Sequence, residues 1–457
     1  MATLSDVPVR TAGTSMTSRH RLILVLLLGV QFMLAIDFSI LNVALPVVGA
    51  GLGFGLGSLQ WIATAFALPA AGFTLLFGRV ADLFGRRRML LTGMALLAAG
   101  SAIGGLAASP AMLLTGRVLQ GLATAIATPA ALSLITTSFP EGALRNRALG
   151  LSGALMSAGF TAGAVLGGVL TDLLSWRWAF LINVPIALFV LAVAPGTIAE
   201  NRQAQETRLD VPGAVTVTGG LLALVYGITT GNPYALAAAV VLLVAFWFAE
   251  RRAQAPLVPL NVLARRNVTW GNVGGLIAFA TETSLVFLMT LYLQQVLGFS
   301  PLTTGLALGV LGAGTFAGGV AAPQIMARLG GRRTLASGLV LQAAATAALL
   351  GLGGTRSAVA LLLIATAVGG FGNLVAIVAF MGTATSGLPD GEQGLATGLA
   401  TMTQQVAITL GIPVMSAVVT TGHTVLSGIH TATLVNAAVA LAGAALIALF
   451  LRPRPSE

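Results

Sequence analysis

Two acidic residues, Asp37 and Glu282, stand inside long apolar stretches of this sequence. Each follows an arginine, Arg21 or Arg266, by 16 residues, which corresponds to about 24 Å of α-helix. A carboxylate at the centre of a lipid-embedded helix costs on the order of 3 kcal/mol, so we expect both acids to have a function; the alternative is that a neighbouring polar group holds each acid in a purely structural role. Burial in a low-dielectric cavity favours the protonated form of a carboxylate. Each acid can therefore bind a proton reversibly or neutralise a cation, but not both at once.

Arg117 is a third ionisable residue inside an apolar stretch. Gln120 and Thr124 follow it at i+3 and i+7, a spacing that puts the three side chains on one face of a helix. Asp37 lies nine residues before Pro46, and Arg117 lies several residues from the outer end of its own span, so their depths are compatible. An arginine within a span needs a carboxylate or a polar cavity. We predict that Arg117 is the counter-charge of Asp37; the alternative is an ion pair with a purely structural role.

The amino-acid composition indicates the class of protein in which these ionisable residues lie. The chain is 56% hydrophobic and 8% charged, whereas a soluble protein of this length carries about a quarter charged residues. All 23 basic residues are arginine, and there is no cysteine. The absence of lysine excludes a phosphate-binding loop that needs it and a Schiff-base cofactor. A net charge of +10 on a soluble protein would suggest nucleic acid, but here the arginines fall in short loops between spans, so no nucleic-acid partner is expected.

Breaks at charged and Gly/Pro-rich points predict an all-α membrane protein with fourteen transmembrane helices. Twenty arginines fall at one set of helix ends, two (Arg177 and Arg356) fall at the other set, and Arg117 falls within a span. This bias predicts that both termini are cytoplasmic. The predicted spans are 21–48, 58–78, 89–108, 111–138, 146–171, 177–197, 211–230, 233–250, 267–297, 301–326, 334–353, 357–383, 393–421 and 430–451. The predicted domains are an N-terminal tail (1–20), a six-helix bundle (21–198), two linking helices (211–250), a second six-helix bundle (267–451) and a C-terminal tail (452–457).

An internal repeat relates the two bundles. A shift of 245 residues carries Asp37 onto Glu282 and the loop DLFGRRRML (82–90) onto ARLGGRRTL (327–335). Two acids at one depth in repeat-related helices predict one central cavity that both halves line. The polar residues predicted for its wall are Gln31, Asn42, Gln120, Thr124, Asn272, Asn373, Gln404 and Gln405.

Two glycine-containing stretches suggest close packing. In GRVADLFGRRR (78–88) the glycines permit a tight turn, and the acid can cap the next helix or pair with an arginine; the alternative is a topology signal alone. The residues of this inner loop are Gly78, Asp82, Gly85, Arg86, Arg87 and Arg88. In GALMSAGFTAGAVLGGVL (153–170) the small residues form a ridge for helix contact, namely Gly159, Gly163, Gly167 and Gly168.

Several of these stretches resemble motifs of the major facilitator superfamily. The inner loop is similar to the signature loop of that family, and R-x-x-Q-G (117–121) resembles its helix-4 motif, which is linked to proton coupling. The glycine ridge resembles the antiporter motif G-P-x-x-G-G, with Ala164 where the family has proline. AIDFSILNVALP (35–46), WRWAFLINVP (176–185) and the order of six, two and six helices resemble the 14-helix drug–proton antiporters.

The resemblance covers almost the whole chain and implies an alternating-access antiporter in the bacterial inner membrane. Such a protein exports hydrophobic or cationic drugs or antibiotics in exchange for protons. It is not an enzyme, needs the proton gradient and no cofactor or metal, sits in lipid and is expected to be a monomer. The resemblance assigns proton or cation handling to Asp37, with Glu282 as a second site. It implies that the inner loop fastens the halves in the outward-facing state, asymmetrically here because Ala327 replaces the acid. An uptake carrier and a non-transporting sensor or scaffold remain as alternatives.

Overall fold

The computed structural model describes residues 18–55, 58–139, 143–200, 210–253, 256, 262, 264–386 and 390–451. In these ranges all regular secondary structure is helical. The first helix begins at Ser18; residues 1–17 of the predicted N-terminal tail and the predicted tail 452–457 lie outside the described residues.

The helices follow the predicted order of six, two and six. The first half contains α1 (Ser18–Leu52), α2 (Gln60–Phe84), α3 (Arg86–Gly105), α4 (Pro110–Ser138), α5 (Ala143–Leu173) and α6 (Trp178–Thr197). The linking pair is α7 (Val211–Thr230) and α8 (Pro233–Arg252). The second half contains α9 (Arg266–Leu291), α10 (Pro301–Ala348), α11 (Val359–Ala384), α12 (Asp390–Val419) and α13 (Val425–Phe450). A π-helical turn, Tyr292–Val296, extends α9.

The helix α10 has two membrane-length arms, 301–329 and 331–348, that meet at a non-helical glycine, Gly330 (φ 75°, ψ 160°). The equivalent residue in the first repeat, Gly85, separates α2 from α3 and also has a positive φ of 106°. An L-residue would be strained in this left-handed region, so both inner loops turn on a glycine for the same reason. With the arms counted separately, the described residues form the predicted fourteen helices. Eleven of the described helices, with α10 counted once, are long and apolar enough to cross a membrane.

Local sequence sets where several helices begin. The helices α4 and α10 both start with Ser-Pro: the Ser109 and Ser300 side chains each accept a hydrogen bond from a backbone N–H of the first turn. Proline suits the first helical position because its missing N–H would have no helical partner there. At the start of α8, Asn232 caps the helix before Pro233 in the same way.

The two halves share a core at one end of the helices and have separate cores at the other end. We call the ends that carry arginine-rich loops such as 84–88 and 328–333 the inner ends, and the opposite ends the outer ends. At the outer ends a single apolar cluster includes Leu45 of α1, Phe180 of α6 and Leu288 of α9. A hydrogen bond of 2.8 Å from Gln294 Nε2 to the Val43 carbonyl also crosses between the halves there. Toward the inner ends each half has its own core. The structure is therefore closed at its outer side and inward-facing.

The linking helices do more than join the halves. Along one side of the seam, α7 packs in a cluster that contains Val217 of α7, Leu399 of α12 and, at its edge, Leu76 of α2. The Thr218 hydroxyl donates to the carbonyl of Gly72 on α2 at 2.6 Å. One linking helix thus contacts both halves at once.

Candidate functional site

A cavity of about 490 Å³ lies between the halves. Four helices of each half line it, α1, α2, α4 and α5 on one side and α9 to α12 on the other. Its wall is mainly apolar and includes four phenylalanines: Phe38, Phe66, Phe160 and Phe279. Lining residues such as Leu132, Ser152 and Thr385 lie toward the inner ends of their helices, whereas the shared core fills the outer ends. The cavity therefore extends toward the inner side.

Glu282 is the one charged residue among those that line the cavity in the described part of the chain. It projects from α9 between two other lining residues, Phe279 and Thr283. No hydrogen bond or ion pair links it to another described residue. A carboxylate without a protein partner at an apolar wall is available to a proton or to a cationic ligand.

Asp37 does not line the central cavity, although its match to Glu282 in the repeat was one basis for predicting that cavity. It is 1% exposed and faces into the first half. Its Oδ1 accepts hydrogen bonds from Gln120 Nε2 at 2.8 Å and from Asn183 Nδ2 at 2.5 Å. Its Oδ2 lies 3.7 Å from Arg117 Nη1, and no donor among the described residues hydrogen-bonds this oxygen.

The partners explain why repeat-related acids face in different directions. Arg117, Gln120 and Asn183 draw the Asp37 carboxylate away from the cavity, and Phe38 on the next position lines the wall instead. The repeat offers no second arginine at the matching place in α11, where the shift of 245 leads to Leu362. The spacing from an inner arginine does not determine which face of its helix each acid occupies.

Arg117 is 1% exposed, and it has partners on two helices besides α1. Its Nη1 donates to Gln120 Oε1 at 2.8 Å, and its Nε donates to the Ile62 carbonyl on α2 at 3.2 Å. The guanidinium carbon stands 4.3 Å from the centre of the Phe66 ring. Gln120 Nε2 also donates to Ser101 Oγ on α3 at 2.9 Å. The ion pair is thus the centre of a buried polar network that joins five helices, α1, α2, α3, α4 and α6.

The structure places four of the eight predicted wall residues at the cavity. These are Gln31, Thr124, Gln404 and Gln405. All four face the space between the halves, together with hydroxyls from several other helices.

The other four predicted wall residues do not line the cavity, because neighbouring helices occupy their polar groups or enclose them. Gln120 belongs to the Asp37 network, and Asn42 is buried toward the outer end of α1. Asn373 donates to the Ala278 carbonyl at 2.9 Å, and Asn272 accepts from Thr403 Oγ1 at 2.7 Å. Amide side chains inside a membrane bundle also form hydrogen bonds between helices, so the presence of an amide does not by itself indicate a position at the cavity wall.

Asn183 is a site residue that the sequence prediction missed. It lies within WRWAFLINVP (176–185), and its bond to Asp37 joins that stretch to AIDFSILNVALP (35–46). Each of the two stretches separately resembles the 14-helix drug–proton antiporters. The signal that was available is that Asn183 is the one amide within an otherwise apolar helical stretch.

The inner loop binds the end of α6, in its own half. The backbone N–H groups of Arg87 and Arg88 donate to the two carboxylate oxygens of Glu200, each at 3.2 Å. Arg87 Nε also lies 3.6 Å from Glu200 Oε2, and Arg87 Nη1 donates to the Ile198 carbonyl at 3.1 Å. Glu200 therefore caps the N-terminus of α3, where a negative charge is favoured. It is not among the residues predicted from the sequence.

The remaining residues of the inner loop are placed as follows. Gly85 makes the turn described above and sits against Glu200, so that an added Cβ would lie 2.6 Å from Oε1. Gly78 faces Pro129 of α4. Arg86 is buried and has a polar or ring partner. The Asp82 side chain lies outside the described residues.

The glycine ridge of α5 packs against two helices. Gly159, Gly163 and Gly167 abut the backbone of α1, where an added Cβ at Gly159 would stand 2.8 Å from the Phe32 carbonyl oxygen. Gly168 instead meets Pro301 at the start of α10, so the ridge also touches the other half. Among the described residues, no group of three or more His, Cys, Asp or Glu residues lies close enough together to hold a metal ion.

Comparison with known sequences gives relatives over almost the full length. The sequence profile of the Major Facilitator Superfamily matches residues 27–412. The cephamycin export protein CmcT of Amycolatopsis lactamdurans is 37% identical over 437 residues, which cover 90% of this chain and 88% of that protein. The puromycin resistance protein pur8 of Streptomyces alboniger is 38% identical over 438 residues, which cover 91% and 85%.

Comparison with solved structures shows the same fold at low sequence identity. An auto-inhibited peptide transporter of the POT family superposes with a TM-score of 0.69 at 17% identity, over 95% of this chain and 98% of that one. The human organic anion transporter MFSD10 (TETRAN) superposes with a TM-score of 0.62 at 19% identity, over 94% of this chain and 100% of that one.

Proposed function

The chain belongs to the major facilitator superfamily, and we propose that it exports hydrophobic or cationic antibiotics across the bacterial inner membrane in exchange for protons. The names of its relatives support export, because one is a cephamycin export protein and another a puromycin resistance protein. Both termini face the cytoplasm in this proposal, since the inner ends carry most arginines. The protein acts as a monomer and uses the proton gradient without a cofactor.

The observation that carries the proposal is the chemistry of the cavity wall. Four phenylalanine rings and one carboxylate, Glu282, face the same space. Aromatic rings bind flat apolar groups and attract cations at their faces. A drug that combines an apolar body with an amine thus finds contacts for both parts. The few polar groups besides Glu282 suit selection by shape and charge rather than by a dense hydrogen-bond pattern.

Exchange follows from the two acids. Glu282 in the cavity binds a proton or a cationic drug, so protonation from the outside releases the drug and deprotonation on the cytoplasmic side allows the next one to bind. Asp37 supplies the second protonation site: its Oδ2 faces Arg117 at 3.7 Å but accepts no hydrogen bond from described residues, which leaves it open to a proton. Neutralising Asp37 weakens its hold on Arg117.

The inner loop and Glu200 change partners when the protein alternates between its inward-facing and outward-facing states. In the inward-facing structure the loop binds Glu200 of its own half. In the outward-facing state the loop, with Asp82, fastens the two halves together at the inner side, and its bonds to Glu200 are exchanged for contacts with the second half.

The test uses purified protein in proteoliposomes with an imposed pH gradient and ethidium as the cationic substrate. The wild type is expected to concentrate ethidium against its gradient, and Glu282→Gln to lose most of that accumulation. Asp172→Asn, the same chemical change at an exposed residue of α5, is the matched control and should transport normally. Full accumulation by Glu282→Gln would remove this residue from the mechanism. Higher dye content in cells that express the protein would favour an uptake carrier.

A further inference from the structure

The cavity ends toward the outer side in a small roof that both halves build. We define the roof as Phe38, Phe66, Ala67 and Ile408, which belong to one apolar cluster. Phe38, Phe66 and Ile408 are among the lining residues nearest the outer ends of α1, α2 and α12. The Phe38 and Phe66 rings are 5.8 Å apart, centre to centre. The roof is the layer that must open if the cavity is to face outward.

Arg117 stands behind the roof and holds α2 at two points. Its guanidinium lies 4.3 Å from the centre of the Phe66 ring, and its Nε donates to the carbonyl of Ile62, one helical turn earlier. One turn further along α4, Gly121 packs directly on the backbone carbonyl of Phe66. The position of α2 is therefore set by the same helix that supplies the counter-charge of Asp37.

The next residue of α2 contacts the other half. The hydroxyl of Thr409 on α12 lies 2.9 Å from the Ala67 carbonyl oxygen and shares its hydrogen between this oxygen and the Gln405 carbonyl of its own helix, at 2.7 Å. An unbroken series of contacts thus leads from Asp37 through Arg117 to Phe66, and from the adjoining Ala67 to the second half. Asp37 itself does not touch the cavity, so a change at its carboxylate needs such a series to reach the drug.

We infer that Phe66 is a positioning residue through which Arg117 transmits the charge state of Asp37 to the cavity roof. The inference rests on the proposed function and adds the residue that links its two parts. Arg117 divides its charge between a carboxylate on α1 and a ring and carbonyl on α2. When Asp37 is neutral, Arg117 keeps its bond to Gln120 on its own helix, α2 is the neighbouring helix that it still contacts, and α2 shifts relative to Thr409.

The surroundings of Asp37 make Arg117 the group that responds when the Asp37 carboxylate takes up a proton. The groups that face the carboxylate are Arg117 and Gln120 from α4 and Asn183 from α6, with Ser101 of α3 behind Gln120. In this part of the described structure Arg117 is the one charged member. The amides and the hydroxyl keep their charge when Asp37 takes up a proton, so the electrostatic change falls on Arg117.

Two measurements on the same proteoliposomes distinguish a positioning role of Phe66 from a role as a drug contact in the cavity wall. Accumulation of ethidium driven by a pH gradient requires coupling, whereas exchange of labelled for unlabelled ethidium across the membrane does not. For Phe66→Leu we expect exchange to fall to the same degree as for the loss of another wall ring, and pH-driven accumulation to fall by roughly fivefold or more beyond that loss, the effect of losing one desolvated cation–π contact. Phe66→Tyr, which restores a ring, should recover accumulation.

Phe38→Leu is the matched control, because Phe38 also lies in the roof and lines the cavity but is not the ring that Arg117 faces. It should lower exchange and accumulation in equal proportion. Replacing Phe66 by 3,4,5-trifluorophenylalanine keeps the ring size and weakens its negative face, so the same loss of accumulation is expected without a packing defect.

The result that overturns the inference is a proportional loss of both activities in Phe66→Leu, as in Phe38→Leu, or unchanged coupling in the fluorinated protein. That result would leave the proposed function intact. If the wild type itself shows no accumulation driven by a pH gradient, the proposed function fails, and the inference fails with it.

Discussion

Asn183 on α6 donates a hydrogen bond of 2.5 Å to Oδ1 of Asp37 on α1, 146 positions earlier in the chain. The bond fixes one carboxylate oxygen and leaves the other, Oδ2, to face Arg117. It also ties the first helix of the chain to the last helix of the same half. Asn183 thus determines how the Asp37 carboxylate is presented to its counter-charge.

Loss of this bond should destabilise the protein and disturb coupling. In Asn183→Leu, Oδ1 keeps only the Gln120 bond, and a buried acceptor that loses a partner costs about 1–3 kcal/mol. We expect a lower unfolding midpoint in detergent and weaker accumulation driven by a pH gradient. Asn272→Leu removes an amide that bonds Thr403 far from Asp37 and serves as the control. Equal stability of Asn183→Leu and wild type would contradict the assigned bond.

The Asp37–Arg117 pair should behave as one unit. Removing one partner leaves an uncompensated buried charge, which costs about 3–5 kcal/mol. Asp37→Asn and Arg117→Met should each lower the free energy of unfolding, and the double variant should lose clearly less than the sum of the two. Thermal or denaturant unfolding of the four proteins measures this cycle. Strict additivity would mean that the two side chains do not interact, despite the 3.7 Å separation.

Variants of the two acids should have different effects on proton coupling and on drug binding. Asp37 does not line the cavity and Glu282 does, so Asp37→Asn should bind ethidium nearly as wild type does and yet lose accumulation driven by a pH gradient. Glu282→Gln should bind the cation less tightly, while a neutral drug of similar shape is affected less. Equilibrium binding of both ligands tests this difference. An equal loss of ethidium affinity in both variants would show that Asp37 also contacts the substrate.

The bonds of Glu200 should favour the inward-facing state. Glu200→Gln keeps the size but weakens the contacts with Arg87 and Arg88, which are partly exposed, so a modest shift of about 0.3–1 kcal/mol is expected. Because the chain has no cysteine, a single Met156→Cys in the cavity wall reports access by a thiol reagent from the inner side. Labelling should slow by up to about fivefold; Asp172→Asn should leave it unchanged, and faster labelling in Glu200→Gln would contradict the assignment.

The sequence predicted the number and order of the helices better than the direction in which each side chain points. Helix number and order follow from the apolar lengths, and the repeat relates the predicted turn at Gly85 to the turn observed at Gly330. The side that a residue faces depends on the partners it finds: Asp37 turns toward Asn183 and Arg117, and Asn373 toward the Ala278 carbonyl. Such partners are distant in sequence, and no local pattern encodes them.

Glu200 shows a different reason for a missed residue. It lies just beyond α6, in a polar segment without helical periodicity, and so carried no pattern of its own. Its role depends on the turn at Gly85, which brings the first N–H groups of α3 toward it. Half of the predicted wall residues do not line the cavity, because neighbouring helices bind or enclose their side chains. The sequence does not distinguish such an amide from one that faces a cavity.

The position of α7 has a mechanical consequence. Because Val217 packs in one cluster with Leu399 of α12 and Leu76 of α2, the halves cannot rock past each other without shearing at least one of these interfaces. A linking pair that travels with one half must slide against the other, so the two moving bodies are unequal, with eight helices in one and six in the other. This interface lies along one side of the seam only, so the pseudo-symmetry that relates the two six-helix halves does not extend to the two moving bodies.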